Sequence, residues 1–293
     1  MNTIWVDLLG AEVKYYQGKY RTRVIEAGSG EPLILIHGIG GHAEAYSRNV
    51  LRLAQHFRVM AIDLAFHGFS QKQPQDGRPM EHFVAQVIDL LDVIGVEKGY
   101  VEGESLGGWI ALHLALQHPQ RLKRIVLNTA AGVNFSSGTV QEDHAGGLEL
   151  LRERSLAAIQ NPTRETIRKR LEWLMASPDR VTEELVDIRL HIYSQPEAQQ
   201  SIAYIFNTFF GEAWERYSLN EEQVSQIAVP TLVLWADKNP GHGPDAGERL
   251  SSLIKGSQFF CIRDAAHWPQ WEKPEEHDQV VSQFLLSPAT VAL

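Results

Sequence analysis

Short apolar runs of strand length alternate with longer stretches of helical periodicity along most of this chain, and that alternation constrains its fold more than any other feature. Candidate strands fall at residues 20–26, 33–37, 58–62, 99–102, 124–128, 231–235 and 258–262, with helical patterns at 81–94, 106–117, 245–254 and 275–286. Such a pattern predicts βαβ units stacked on a mostly parallel central sheet flanked by helices, an α/β architecture. Inner runs such as Leu33-Ile34-Leu35-Ile36 are apolar throughout, as a strand covered on both faces must be. The alternation lapses between about residues 134 and 226, where Ile167, Leu171, Leu174 and Met175 recur at helical spacing. Thr182 can cap a following helix, with Glu183 and Glu184 facing the positive end of its dipole. The expectation is a core of residues 1–133 and 227–293, with a helical lid at 134–226 inserted after the sixth main strand.

Composition enters as a set of exclusions. A net charge of −9 argues against a nucleic-acid partner, because tracking phosphates requires clustered Lys and Arg. Arg164, Arg168, Lys169 and Arg170 do cluster, but Glu165 and Glu172 dilute them, so they read as a solvated helix face. Cys261 is the single cysteine, so no intramolecular disulfide can form. Its apolar neighbours Phe259, Phe260 and Ile262 predict a small buried core residue. The start, Met1-Asn2-Thr3-Ile4-Trp5, does not resemble a signal peptide, and no apolar run approaches the roughly 18 residues that span a bilayer. A cytoplasmic protein with no membrane partner is expected.

The chemistry concentrates at Gly103-Glu104-Ser105-Leu106-Gly107, a G-x-S-x-G pattern with Gly108 behind it. Alone the pattern is weak. Here it closes one candidate strand and opens the helix at 106–117, the strand–turn–helix setting in which such a serine becomes a nucleophile. The plainer alternative is a glycine-rich turn with a chance serine, and the context counts against it. The segment His37-Gly38-Ile39-Gly40-Gly41-His42 follows another strand, and its glycines allow backbone to approach a substrate closely. The N–H of Leu106 and one from Ile39 or Gly40 are the expected oxyanion hole, His37 a loop brace, and His42 a candidate for facing the pocket. Of the 12 histidines, His267 is the expected base, because it follows the last strand at the edge where loops of parallel sheets gather catalytic groups. His113 and His118 fall in or at the end of the helix behind the serine and cannot turn back.

With Ser105, the His37 loop and His267-Trp268-Pro269-Gln270-Trp271-Glu272 in hand, the chain resembles the meta-cleavage product hydrolases. These α/β-hydrolase-fold enzymes cleave a carbon–carbon bond in 2-hydroxy-6-oxo-hexa-2,4-dienoates during bacterial breakdown of aromatic compounds. The resemblance implies that Trp268 lines the substrate pocket. It also likens Glu184-Leu185-Val186-Asp187-Ile188-Arg189 to a lid helix whose arginine, here Arg189, holds the substrate carboxylate. A guanidinium grips a carboxylate bidentately, which agrees; an exposed Arg189 paired with Asp187 or Glu184 is the alternative.

The departures bear on the same site. In Trp235-Ala236-Asp237-Lys238-Asn239-Pro240, the family's acid position falls on Asn239, and Asp237 stands two residues early. Spacing favours Asn239; chemistry favours Asp237, since a carboxylate stabilises the imidazolium that an amide does not. The balance leans to Asp237. Where the family has Asn before the nucleophile and a polar Asn in the loop, this chain has Glu104 and Ala43-Glu44-Ala45, so the substrate contacts differ. The expected function is a cofactor-independent hydrolase acting on a small carboxylate-bearing keto-dienoate, with no metal, since the histidines lack the His-Glu-x-x-His spacing. Rival readings are a carboxylesterase or lactonase, and a non-catalytic small-molecule receptor on the same scaffold. A homo-oligomer stays open.

Overall fold

The computed structural model describes residues 3–138, 140 and 147–288; part of the expected insertion, at 139 and 141–146, lies outside the described residues. The strands are β1 (Glu12–Gln17), β2 (Arg21–Ala27), β3 (Pro32–Ile36), β4 (Arg58–Ile62), β5 (Gly99–Glu104), β6 (Leu122–Asn128), β7 (Val133–Asn134), β8 (Leu219–Asn220), β9 (Thr231–Ala236) and β10 (Gln258–Ile262). Eight of them form one sheet in the order β1-β2-β4-β3-β5-β6-β9-β10, while β7 and β8 pair separately. β1 with β2 and β2 with β4 run antiparallel; the remaining pairs are parallel, as the alternation requires. The order reverses between β3 and β5, so their carboxyl ends flank the crevice where α/β sheets bind ligands.

β3 is buried at every position, and the helix Leu106–Gln117 behind β5 buries Leu106 through Ala115 without a polar face, as a helix apolar all round must. β1 was not among the expected strands. It is a half-exposed edge strand whose EVKYYQ sequence carries little apolar alternation. Cys261 is only half-buried, because β10 forms the other edge of the sheet.

Between β7 and β8 come the helices Gly147–Gln160, Arg164–Glu172, Glu183–Tyr193, Pro196–Phe209 and Glu212–Tyr217. Thr163 closes a capping box and Thr182 accepts from the Leu185 N–H, so two of these starts are written locally. Their inner side chains, among them Leu151, Ile167, Leu171, Leu185, Val186 and Phe206, share one apolar cluster with Ala43 and Trp268 of the sheet's loop edge. The helix Glu183–Tyr193 is tied at both ends. Glu184 accepts the Ile4 N–H (2.6 Å), and the Tyr193 hydroxyl donates to the Gly40 carbonyl (2.9 Å).

The basic cluster divides. Arg164 pairs with Glu183 and Asp187, Arg168 with Glu183, and Lys169 with Glu165. Arg170 instead turns inward and is 2% exposed, which corrects its reading as part of a solvated face. No helix among the described residues is long and apolar enough to cross a membrane.

Candidate active site

Ser105 occupies the turn between β5 and its helix at φ 53°, ψ −112°, a region costly for a residue with a side chain, on the order of 1–3 kcal/mol. The turn closes only because its neighbours lack Cβ atoms. One on Gly103 would collide with the Gly107 carbonyl, and one on Gly107 with the Ile36 carbonyl. Ser105 therefore stands at the β3–β5 reversal with the free N–H of a helix start beside it.

The loop after β3 is braced by histidines. His37 Nε2 accepts the Leu64 N–H (3.1 Å), which leaves its Nδ1 to donate to the Gly38 carbonyl (2.8 Å). Burial, the largest influence, pushes the His37 imidazole down to about 4, so it stays neutral as a brace should. The Gly40 N–H donates to His67 Nε2 (3.1 Å), and the Gly38 N–H to Glu104 Oε2 (2.7 Å). Of the two loop donors expected at the oxyanion hole, Gly40 is thus committed elsewhere, and Ile39 lines the cavity beside Ser105 and Leu106.

His267 is 8% exposed and lines the same cavity as Ser105. Its backbone carbonyl accepts from Thr129 Oγ1 (2.9 Å), and its ring meets Trp173 edge-on at 5.0 Å between centroids. The ring partner is Asn239, whose Oδ1 lies 2.7 Å from His267 Nδ1. Asn239 Nδ2 donates to the His242 carbonyl (2.8 Å), which fixes the amide orientation, so His267 Nδ1–H must donate and Nε2 faces the reaction space. The lean towards Asp237 is corrected. Asp237 is exposed, and its Oδ1 lies 3.4 Å from the Ala265 N–H. The physical reason is the turn after β9. Asn239 N–H closes onto the Ala236 carbonyl (3.3 Å), folding the chain back so that the third residue after the strand reaches the ring.

Glu104 is 1% exposed, and its Oε1 lies 3.2 Å from His267 Nε2 at ion-pair distance. The expectation of His42 in the pocket is also corrected. Its Nδ1 pairs with Glu44 Oε2 (2.9 Å), Glu44 is gripped by Arg23 (2.6 Å), and His42 is absent from the lining of both cavities that reach Ser105.

Those two cavities differ in character. The larger, of about 370 Å³, is walled by Trp109, Trp173, Phe209, Phe210, Trp214 and Trp235. The smaller recess, which also reaches Ser105, is bounded by Gly38, Glu104, Arg170, Arg189 and Trp268. Arg189 is fully buried over the Trp268 ring at 5.4 Å, and its Nε and Nη2 have no hydrogen-bond partner among the described residues. Its alternative partners are taken, Asp187 by Arg164 and Glu184 by the Ile4 N–H. Arg170 donates through Nε to Ser155 Oγ (2.8 Å), while Nη1 has no partner among the described residues. Burial first, then the Arg189 charge, pushes Arg170 down to about 10, which leaves it a cation at neutral pH. Sequence reading missed Arg170, although it sits one turn after Ile167, on the apolar stripe.

The family model described as alpha/beta hydrolase fold matches residues 31–274. A 2-hydroxymuconate semialdehyde hydrolase of Pseudomonas putida is 30% identical, over 91% of this chain and 91% of its own length. Among solved structures, a meta-cleavage product hydrolase from Pseudomonas fluorescens IP01 aligns with a TM-score of 0.78 at 25% identity, covering 94% of this chain and 98% of that one. A bacterial membrane phospholipase A aligns with a TM-score of 0.80 at 26% identity, covering 95% of this chain and 86% of that one. The serine turn, the sheet order and these likenesses agree: the chain belongs to the α/β-hydrolase fold family, is a serine hydrolase, and resembles the meta-cleavage product hydrolases along nearly its whole length.

Proposed function

We propose that the chain hydrolyses a carbon–carbon bond in a 2-hydroxy-6-oxo-hexa-2,4-dienoate-type ring-fission product, with Ser105 as nucleophile and His267 as base. The observation that carries this is the pair of buried guanidiniums, Arg189 and Arg170, with unpartnered donors, both lining the small recess that reaches Ser105. A buried donor left unsatisfied costs roughly 1–3 kcal/mol, more when charged, so such a pair calls for an anion supplied by the ligand. The recess sets two guanidiniums against the single carboxyl group of Glu104, and a substrate carboxylate gives the second guanidinium a partner. Trp268 flanks that carboxylate, and the helices between residues 147 and 217 act as the lid that excludes water.

In this reading the dienol first becomes the ketone. Ser105, or a water activated by His267, adds to the carbonyl carbon, and the N–H groups of Leu106 and Ile39 hold the oxyanion. The carbon–carbon bond then breaks towards the dienoate side. Overall, water delivers its hydroxyl to the acyl carbon and its proton to the departing carbon. The aromatic chamber favours a bulky apolar acyl group. The same chamber also favours the second reading, a carboxylesterase or lactonase acting on an apolar ester, with the phospholipase likeness behind it.

A panel decides between them: ring-fission dienoates with methyl, phenyl and aminophenyl ends beside p-nitrophenyl esters, with wild type and Ser105→Ala. Turnover of the phenyl dienoate above the methyl one is expected, lost in Ser105→Ala. Ester turnover with no dienoate cleavage would establish the second reading instead.

A further inference from the structure

We propose that Glu104 supplies the negative charge missing from the Ser105–His267–Asn239 arrangement, acting as a positioning residue on the opposite edge of the imidazole. This rests on the reading of Ser105 and His267 as nucleophile and base, though not on which bond is cut. Asn239 can orient the ring through Nδ1, but a neutral amide does nothing for the imidazolium that forms when Ser105 gives up its proton. Asp237 is exposed and its carboxylate lies against the Ala265 N–H. Glu104, with Oε1 at 3.2 Å from His267 Nε2, is the carboxylate that the structure places against the ring.

Its second oxygen is held by the Gly38 N–H at 2.7 Å, so the carboxylate bridges the oxyanion loop and the base. The same contact fixes where the negative charge sits. It lies one residue before the nucleophile, on the strand end that the serine turn already holds rigid. The groups facing it are His37 and Tyr46 from the β3 side, Arg170 and Arg189 from the two inserted helices, and His267. Arg170 and Arg189 line the same recess as Glu104. When a substrate carboxylate engages them, the field of Glu104 is left to the imidazole.

Moving the charge from one ring edge to the other tests this. With the substrate that wild type turns over, kcat, KM and the pH profile would be measured for Glu104→Gln, Asn239→Asp and the double variant, with Ser105→Ala as control. Glu104→Gln keeps an oxygen for the Gly38 N–H. It is expected to lose about 10²–10⁴-fold in kcat with little change in KM, on the scale of amide-for-carboxylate changes in serine triads. The double variant, with its carboxylate on Nδ1, is expected to recover to within about tenfold of wild type. Asn239→Asp alone flanks the imidazolium with two carboxylates, so its acid limb should move to higher pH and its kcat at neutral pH should fall. A rise in kcat for Asn239→Asp overturns the proposal even if Glu104→Gln does not fold. So does a Glu104→Gln variant within a few-fold of wild type, or a double variant no better than Glu104→Gln. Ser105→Ala with full turnover overturns the nucleophile reading as well; Ser105→Ala inactive with Glu104→Gln unaffected overturns this proposal alone.

Discussion

Two glutamates two residues apart on β5 each face a histidine, and the two pairs serve opposite ends. Glu102 lies 2.8 Å from His277 Nε2, and His277 Nδ1 lies 2.9 Å from Asp278; Glu102 and His277 are wholly buried. Burial alone would disfavour the imidazolium, but Glu102 and Asp278 override it and push His277 up to about 10. Glu104 lies 3.2 Å from His267 Nε2, yet His267 Nδ1 meets the amide of Asn239, and the ring borders a cavity. His277, wholly buried between two carboxylates, is held protonated and serves the scaffold. His267 instead has an amide as its second partner and lines the cavity that Ser105 reaches. What separates scaffold from chemistry here is the second partner and the empty space, since the strand and the residue types are the same.

The sharpest break of that comparison is to remove each ring. His267→Gln should abolish turnover, by about 10⁴-fold or more on the scale of triad knockouts, with its thermal midpoint near wild type. His277→Gln should do the reverse. Breaking a buried ion pair by removing one partner costs about 3–5 kcal/mol, while kcat of the folded fraction stays within a few-fold. Denaturant melts beside kcat for both variants check this. If the effects were exchanged, the division between the two pairs would fall.

The pH dependence of stability sharpens it. Because the folded value for His277 is raised, its contribution is fully present below about 6.5 and is lost as pH rises towards about 10. In that window each proton retained in the fold is worth about 1.4 kcal/mol per pH unit. The gap in unfolding free energy between wild type and His277→Gln should therefore shrink from pH 7 to pH 10. A gap that stayed constant would show that His277 is not held protonated.

Smaller effects concern the recess. Arg189→Lys should raise KM for a dienoate by about tenfold or more while moving KM for a neutral ester little, because lysine cannot make a bidentate grip. Equal shifts for both substrates would remove Arg189 as the carboxylate anchor. Asp237→Asn should change kcat by less than about twofold, a surface substitution away from the ring. A large loss would return Asp237 to the site.

How much of this was legible depended on which signal carried it. The helix Leu106–Gln117 was readable to its ends, because a glycine-rich strand–helix turn and a continuous apolar run are both local signals. The αβ order of the core, and the place of Ser105 on the turn after β5, were legible for the same reason. β1 was not, since an edge strand with one wet face loses the apolar pattern that marks a strand. The choice between Asp237 and Asn239 turned on backbone geometry, where counting residues from His267 pointed correctly and the preference for a carboxylate did not. Arg170 was misread because charge was taken as a sign of solvent, although its position on the Ile167 stripe points inward. The contact between Glu104 and His267 joins the end of β5 to the loop after β10, 163 positions on, and no local pattern announces it.

The two ties on the helix Glu183–Tyr193 carry a mechanical consequence. With Glu184 latched to the backbone at Ile4 and Tyr193 to Gly40, the segment bearing Arg189 behaves as a fixed jamb. The aromatic chamber is framed away from that helix, by Leu148, Leu151, Arg152, Phe210 and Trp214. If the proposed function holds, a substrate reaching across both cavities would set its charged head at the guanidiniums and its tail in the aromatic chamber. Length and shape would then be read at the tail and charge at the head, by two different walls.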